Sequence, residues 1–486
     1  MSILVIDAGT SGIRALVVRP DATVAVEASA EMLPDTPFDG LVEFDADAYA
    51  ATALDLARRV LAEYGPVDAV GLSTQRASAV VWDRATGRAV APAQSWQDLR
   101  TVGDCLVLAA EGLRLAPNLT ATKVPNIWDS VDPDRVRDLC VGTPDAWLVW
   151  HLTEGAVHAT DLSNAAVTGL TRVVTATAAG TPHWDADILE RLRIPATAMP
   201  EIVASSGELG RATALDGAPP ICGVAGDQQA SLVGQGCVRP GMAKATFGTG
   251  AMLDVCLGPT PPTSAQRSSA GTFPIVCWQR GEEVVYGIEA IMLAAGTNVQ
   301  WLRDDLGIID SAEHSAEVAA ACADTGGVVY VPAQLGLGTP RWDYGARGLL
   351  IGLTRGSGRP EVVRAVLEGI AERGADLLAA AEADAGTTIE RLRIDGGMSA
   401  NPVFRQALAN ATQRPIEVAP VKEATSLGAA FLAGLAVGTW GSWDDVAAAW
   451  SPAAVVEPGP PTDRERWARA VERAAGWHPD LSALDF

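Results

Sequence analysis

"ILVIDAGTSGIRALVV", Ile3 to Val18, is an apolar run, a Gly/Ser/Thr turn and a second apolar run. That order reads as a β-hairpin. "MAKATFGTGAMLDVCL", Met242 to Leu257, repeats the form around a Gly-Thr-Gly turn, about half a chain further on. The pair reads as a weak internal duplication in which each hairpin opens one domain. The length agrees: 486 residues are too many for one ordinary core and point to two large domains. The turn cluster "VRPG", Val238 to Gly241, suits the boundary and gives domains 1–237 and 238–486.

Between the hairpins and after them, strand and helix patterns alternate. "VDAVGLSTQ" (67–75) and "GGVVYVPAQ" (326–334) read as buried strands. "AYAATALDLARRVLAEYG" (48–65) and "EVVRAVLEGIAERGADLLAAAEADAG" (361–386) read as helices. "IERLRIDGGMSANPVFRQALA" (389–409) is a strand, a glycine turn and a helix, with Pro402 early in the helix where a missing N–H costs little. "SPAAVVEPGPPTDRE" (451–465) reads as a Pro-rich connection to a last short helix. Alternating strands and helices imply α/β layers.

Composition removes several function classes. The net charge of −23 leaves no basic face to neutralise phosphates, which argues against nucleic acid and anionic membranes as partners. "MSILVIDAGT" has no basic leader and reads as a first strand. No apolar run approaches membrane-spanning length. The seven cysteines form no C-x-x-C pair and the five histidines are dispersed. Reduced thiols in a cytoplasmic protein, without a structural zinc site, are the simplest reading.

Three glycine turns and one acid carry the chemistry. "DAGTSGIR" and "TFGTG" offer backbone amides and hydroxyls that attract an anion without net positive charge. "DGGMSAN" offers room for a flat ring beside Gly396 and Gly397. None has the P-loop spacing, and no G-x-G-x-x-G links a first strand to a helix. Each turn alone reads equally as an ordinary tight turn. Asp7, beside the first turn, would repel a phosphate unless Mg²⁺ intervened; its plainer reading is an Asx-turn acid. In "VAGDQQASLVGQG", Val224 to Gly236, Asp227 sits between an apolar run and a helix pattern. It reads as a helix cap or as a general base at a cleft mouth.

Taken in order, "DAGTSGIRA", "STQRASAVVWD", "SWQDLRT", "DAWLVWHLT", "AGDQQASLVGQ", "KATFGTGAML", "GTNVQWLRDDLGI", "WDYGARGLLIGLTRG", "RIDGGMSANPVF" and "ATSLGAAFLAGLAVG" resemble the FGGY carbohydrate kinases, and among them the glycerol kinases. The resemblance runs from Ile3 to about Trp440. It implies two actin-like (ribonuclease H-like) ATPase domains flanking a deep cleft, a homodimer, and transfer of the γ-phosphate of ATP to a polyol or sugar hydroxyl with Mg²⁺. Thr10, Ser11 and Arg14 would form the first phosphate loop, and Gly248 and Thr249 the second. Gly296, Gln300, Gly397 and Asn401 would face the nucleotide, and Asp7 would act near the metal ion. Arg76, Trp96, Asp227 and Gln228 match polyol-contacting positions, with Asp227 the general base.

Two departures stand in the polyol half. The glycerol-kinase pattern has a glutamate after the substrate arginine, where this chain has Ala77. It has a tyrosine where Asn118 stands, in "APNLTATK". Met252 replaces a frequent aromatic residue. Arg76 would then lack an adjacent carboxylate, and the favoured substrate would be larger than glycerol, a pentulose or tetritol. Outside that class, a non-catalytic actin-like regulator has no reason to keep Asp227, and a nucleotide hydrolase has no use for Arg76 and Trp96.

Overall fold

The computed structural model describes residues 1–171, 183–264, 267–420 and 424–485. The first half supplies β1 (Ile3–Ala8), β2 (Gly12–Val18), β3 (Val24–Glu31), β4 (Ala69–Thr74), β5 (Ser206–Arg211) and β6 (Pro220–Gly226). The second supplies β7 (Ala243–Phe247), β8 (Ala251–Gly258), β9 (Phe273–Arg280), β10 (Glu283–Met292), β11 (Leu392–Asp395), β12 (Ile416–Val418) and β13 (Ala454–Val456). These strands form one sheet in the order β13-β12-β11-β7-β8-β10-β9-β5-β6-β4-β1-β2-β3. The halves meet where β5 touches β9 through the pair Ser206↔Arg280.

Both hairpins form as expected: β1 pairs antiparallel with β2, and β7 with β8. β4 runs parallel to β1 on one side and to β6 on the other, with Ala8, Thr74 and Gly226 in one transverse row. These strands are covered on both faces, which is why they read as near-continuous apolar runs. Asp7, near the end of β1, and Arg76 and Asp227, just beyond β4 and β6, therefore lie at the same carboxyl edge, where ligands of parallel sheets bind.

The helix readings hold over Ala46–Tyr64, capped by Asp45, and over Arg359–Ala385, which ends at Gly386 with φ +63°. Two readings change. The expected strand in 326–334 contracts to Val329–Val331, paired with Leu349–Ile351 in a separate two-stranded sheet. The Pro-rich connection contains β13, which pairs with β12 at the sheet edge before its prolines end the ladder.

Helices Asp227–Gly234 and Ala424–Val437 cross with their backbones in contact. A Cβ on Gly234 would lie 1.8 Å from the Ala424 carbonyl oxygen, and one on Gly428 1.7 Å from that of Ala230. Another face of Ala424–Val437 presses on Gly71 of β4 and Gly223 of β6, where a Cβ would meet the Ala429 oxygen and Ala433 nitrogen at 2.5 Å. Hence a helix from late in the chain lies on the first-half sheet. The core around it joins Ile3, Val5, Ala430 and Phe431 with Cys256, Ile275 and Trp278 of the second half. Among the described residues no helix is long and apolar enough to cross a membrane.

Gly428→Ala should destabilise the protein by about 3 kcal/mol or more, since backbone and not a flexible side chain occupies the Cβ position. Gly103→Ala, in the helix Val102–Ala110 with nothing within 4 Å, should be neutral or stabilising by up to about 1 kcal/mol. Denaturant melts of the two variants check the contrast; equal midpoints would contradict it.

Candidate active site

Asp227 is the first residue of its helix, and Gly226 occupies the N-cap position. The capping reading is thereby corrected: the side chain accepts from the N–H of its own neighbour Gln228, through Oδ1 at 2.8 Å, and not as an N-cap. Burial raises its pKa above the ordinary carboxylate range, against the opposing charge of Arg76. The side chain keeps 30% of its surface exposed, so it is held from one side and open on the other.

Arg76 follows β4. Its Nε lies 3.3 Å from Asp227 Oδ1, and its Nη2 donates to Glu289 Oε2 at 2.7 Å. The expectation that Arg76 lacks a carboxylate because position 77 is alanine is overturned: Glu289 reaches it from β10 of the other half. Arg76 Nη1 is buried and has no hydrogen-bond partner among the described residues. A buried guanidinium nitrogen with nothing to donate to costs free energy unless a ligand completes it.

Gln228 accepts a 2.6 Å hydrogen bond from Lys244 Nζ on its Oε1. Its amide nitrogen therefore remains to donate. Trp96 Nε1 donates to Thr10 Oγ1 at 2.9 Å, so the indole braces the first glycine turn. Asn118 is exposed and donates to the Trp96 carbonyl at 2.8 Å. Its loop is held by the buried Lys123, whose Nζ donates to Pro117 and Leu119 carbonyls. Ala77 takes φ +58°, a left-handed conformation unusual for alanine, and turns the chain from Arg76 to Ser78. Ser78 in turn accepts from the Trp96 N–H at 2.9 Å.

Asp7 closes this group. Ser426 Oγ donates to its Oδ2 at 2.9 Å, and burial pushes its pKa up to about 6. Arg14, paired with Glu27 at 3.0 Å, pulls in the opposite direction, while the charge of Asp227 reinforces the rise. A cation beside Asp7 would relieve that strain, and one carboxylate suits Mg²⁺, which keeps waters and phosphate oxygens as its other ligands. The donor set fits the ion. Ser11, at the tip of the first turn, is exposed.

A second group gathers at the ends of β7 and β11. The Gly248 and Thr249 carbonyls accept from Gly296 and Ala295 N–H groups at 2.8 Å, which locks the second turn to the helix Gly296–Asp304. Gln300 lies exposed on that helix. Gly396 sits on the Phe247 carbonyl, where a Cβ would approach to 2.4 Å, while Gly397 faces open space. Asn401 caps the helix Pro402–Thr412 through Val403 and Phe404 N–H groups and donates to Ser315 Oγ, so much of its amide is committed to the fold.

The sequence reading passed over Glu289, Lys244, Asp254 and Ser426. A signal was present for three of them: each is a charged residue interrupting an otherwise apolar strand. Ser426 had none, because its meeting with Asp7 depends on a helix crossing.

A two-lobed sheet with acids at one carboxyl edge and glycine turns on both lobes defines a phosphotransferase of the actin-like class. The N-terminal domain of the FGGY family of carbohydrate kinases matches residues 2–234, and the C-terminal domain matches residues 243–437. The chain belongs to this family, and it is an ATP-dependent kinase that phosphorylates a hydroxyl of a small polyol or sugar. It is 41% identical to a glycerol kinase of Aromatoleum aromaticum over 98% of this chain and 99% of that protein. It is 42% identical to one of Trichlorobacter lovleyi over the same shares. The structure of a Plasmodium falciparum glycerol kinase with ADP superposes with a TM-score of 0.89 at 28% identity, covering 97% of this chain and 98% of that one. A xylulose kinase of Rhodospirillum rubrum shares the fold, with a TM-score of 0.84 at 22% identity, over 99% of this chain and all of that one.

Ala77→Gly should raise stability by about 0.5–1 kcal/mol, because glycine adopts the left-handed conformation without the Cβ penalty. A thermal midpoint at or below the parent's would contradict the strain at this turn.

Proposed function

We propose that the chain transfers the γ-phosphoryl group of ATP to a primary hydroxyl of a polyol bound between Arg76, Trp96 and Gln228, with Asp227 as general base. The observation that carries this is the unpaired, buried Arg76 Nη1 beside a half-open Asp227. The guanidinium edge is pre-set by Asp227 and Glu289, and it would donate to one substrate hydroxyl. The Gln228 amide nitrogen would donate to another. Asp227 accepts the proton of the attacking hydroxyl as its oxygen bonds to the γ-phosphorus and the bond to the ADP oxygen breaks. The Gly248–Thr249 and Thr10–Ser11 turns would hold the phosphates between the lobes, and Gly397 leaves room for the nucleoside. Mg²⁺, when bound near Asp7, supplies charge neutralisation on the phosphates. Division at Val238–Gly241, a homodimer and a cytoplasmic setting belong to the same reading.

A four- or five-carbon polyol or ketose is favoured over glycerol. Ala77 offers no hydrogen bond, and the Asn118 amide is already engaged with Trp96. Glu289 on Arg76 removes one reason for this preference, and the space left by the missing glutamate and tyrosine carries the rest. A coupled ADP-release assay across glycerol, erythritol, ribitol, xylulose and ribulose should show the longer substrates ahead in kcat/KM. Glycerol ahead of the whole panel would overturn the preference and leave the kinase reading intact.

Asp227→Asn should lower turnover by at least about 100-fold while ADP binding is kept. The raised pKa of Asp227 sets the direction of the pH effect. Below that pKa the carboxyl is protonated and cannot accept the hydroxyl proton, so kcat/KM falls as pH drops, at a pH above the ordinary aspartate value. Turnover within a few-fold of the parent would remove Asp227 from the mechanism.

A further inference from the structure

Three charged residues lie side by side on adjacent strands inside the second half. Lys244 of β7 pairs in register with Asp254 of β8, and Asp254 pairs in register with Glu289 of β10. Lys244 and Asp254 are completely buried, with Nζ 2.7 Å from Oδ2. Asp254 faces a second carboxylate, Glu289, across the strands, within hydrogen-bonding reach of it. Like charges directly opposed in a sheet destabilise it, and buried ion pairs are often no better than apolar residues of the same volume. Packing therefore gives no reason for this arrangement.

The contacts close on themselves. Asp227 Oδ1 lies 3.3 Å from Arg76 Nε, and Arg76 Nη2 donates to Glu289 Oε2 at 2.7 Å. Glu289 neighbours Asp254, Asp254 pairs with Lys244, and Lys244 Nζ donates to Gln228 Oε1 at 2.6 Å. The Gln228 N–H returns to Asp227 Oδ1 at 2.8 Å. The ring takes Asp227, Arg76 and Gln228 from one half and Glu289, Asp254 and Lys244 from the other.

We propose that Lys244, Asp254 and Glu289 are positioning residues for the polyol, which fix the Arg76 guanidinium and the Gln228 amide from the opposite half of the molecule. Lys244 claims the amide oxygen and so turns the amide nitrogen toward substrate. Glu289 performs for Arg76 the task of a carboxylate that position 77 lacks. Asp254 holds Lys244. Burial raises the Glu289 pKa, Arg76 opposes the shift and the Asp254 charge adds to it. The polyol site is thus assembled only when both halves are in register, while the glycine turns that would take the nucleotide lie outside the ring.

This inference rests on the polyol-site reading above. The test uses the full chain, with Asp254→Leu alone and the double variant Lys244→Met/Asp254→Leu. The single change leaves a buried lysine unpaired and should lower the melting midpoint. The double change removes both charges and should restore the midpoint, yet Gln228 stays unanchored. For the double variant the account expects polyol KM raised by about tenfold or more, the loss of one charge-assisted hydrogen bond, with ADP affinity within twofold of the parent. Restored stability together with parental polyol KM would overturn the proposal and reduce the ring to a structural feature. Polyol and ADP affinity falling together would also overturn it. A parent with no polyol-dependent ADP release would instead defeat the underlying polyol reading, so the two failures are distinct.

Discussion

The contact on which the rest of the structure depends is the crossing of helices Asp227–Gly234 and Ala424–Val437. Gly234 and Gly428 let two backbones touch, and no side chain fits between them. The crossing lays a late helix on the first-half sheet and draws Ser426 to Asp7. It also fixes the helix whose first residue is Asp227. Both cleft acids are thus placed by the same packing event, although the residues that cause it lie about 200 positions apart in sequence.

The second constraint is electrostatic. Burial raises the pKa of both Asp7 and Asp227, and the charge of Asp227 adds to the rise at Asp7. Two acids in that situation need cations. Arg76 supplies one for Asp227, and Arg14 supplies a weaker one for Asp7. A cation beside Asp7 would offset the remaining deficit there. Where charge develops during phosphoryl transfer, donors fixed in advance do not have to reorganise. The guanidinium of Arg76, held at two nitrogens and free at the third, is such a donor.

Much of this was legible in the sequence. Both hairpins, the two long helices and the glycine turns announce themselves through local pattern, and local pattern decides local structure. Asp227, Arg76 and Gln228 lie side by side, while Trp96 braces the first glycine turn through Thr10. Legibility fails where a role depends on a distant partner. Asp227 looks like a cap because Asp is a good cap, but Gly226 takes that position and leaves the carboxylate free for the cleft. Ala77 looks like a missing carboxylate because its neighbour in sequence is Arg76; the carboxylate arrives from Glu289, 213 residues along the chain. Asn401 looks like a ligand contact and spends most of its amide on a helix start. Asp254 and Lys244 announced themselves only as charges inside apolar strands, and their meaning needs the sheet register.

The central claim is the proposal that Asp227 and Arg76, side by side at 3.3 Å, would engage neighbouring hydroxyls of one polyol. The most direct measurement is a crystal structure of the Asp227 form with a non-hydrolysable ATP analogue and the best polyol of the panel. The account predicts one primary hydroxyl within about 2.6–3.2 Å of Asp227 and in line with the γ-phosphorus, with a second hydroxyl accepting from Arg76 Nη1. A bound polyol that leaves Arg76 Nη1 unpaired, or that presents no hydroxyl to Asp227, would contradict it.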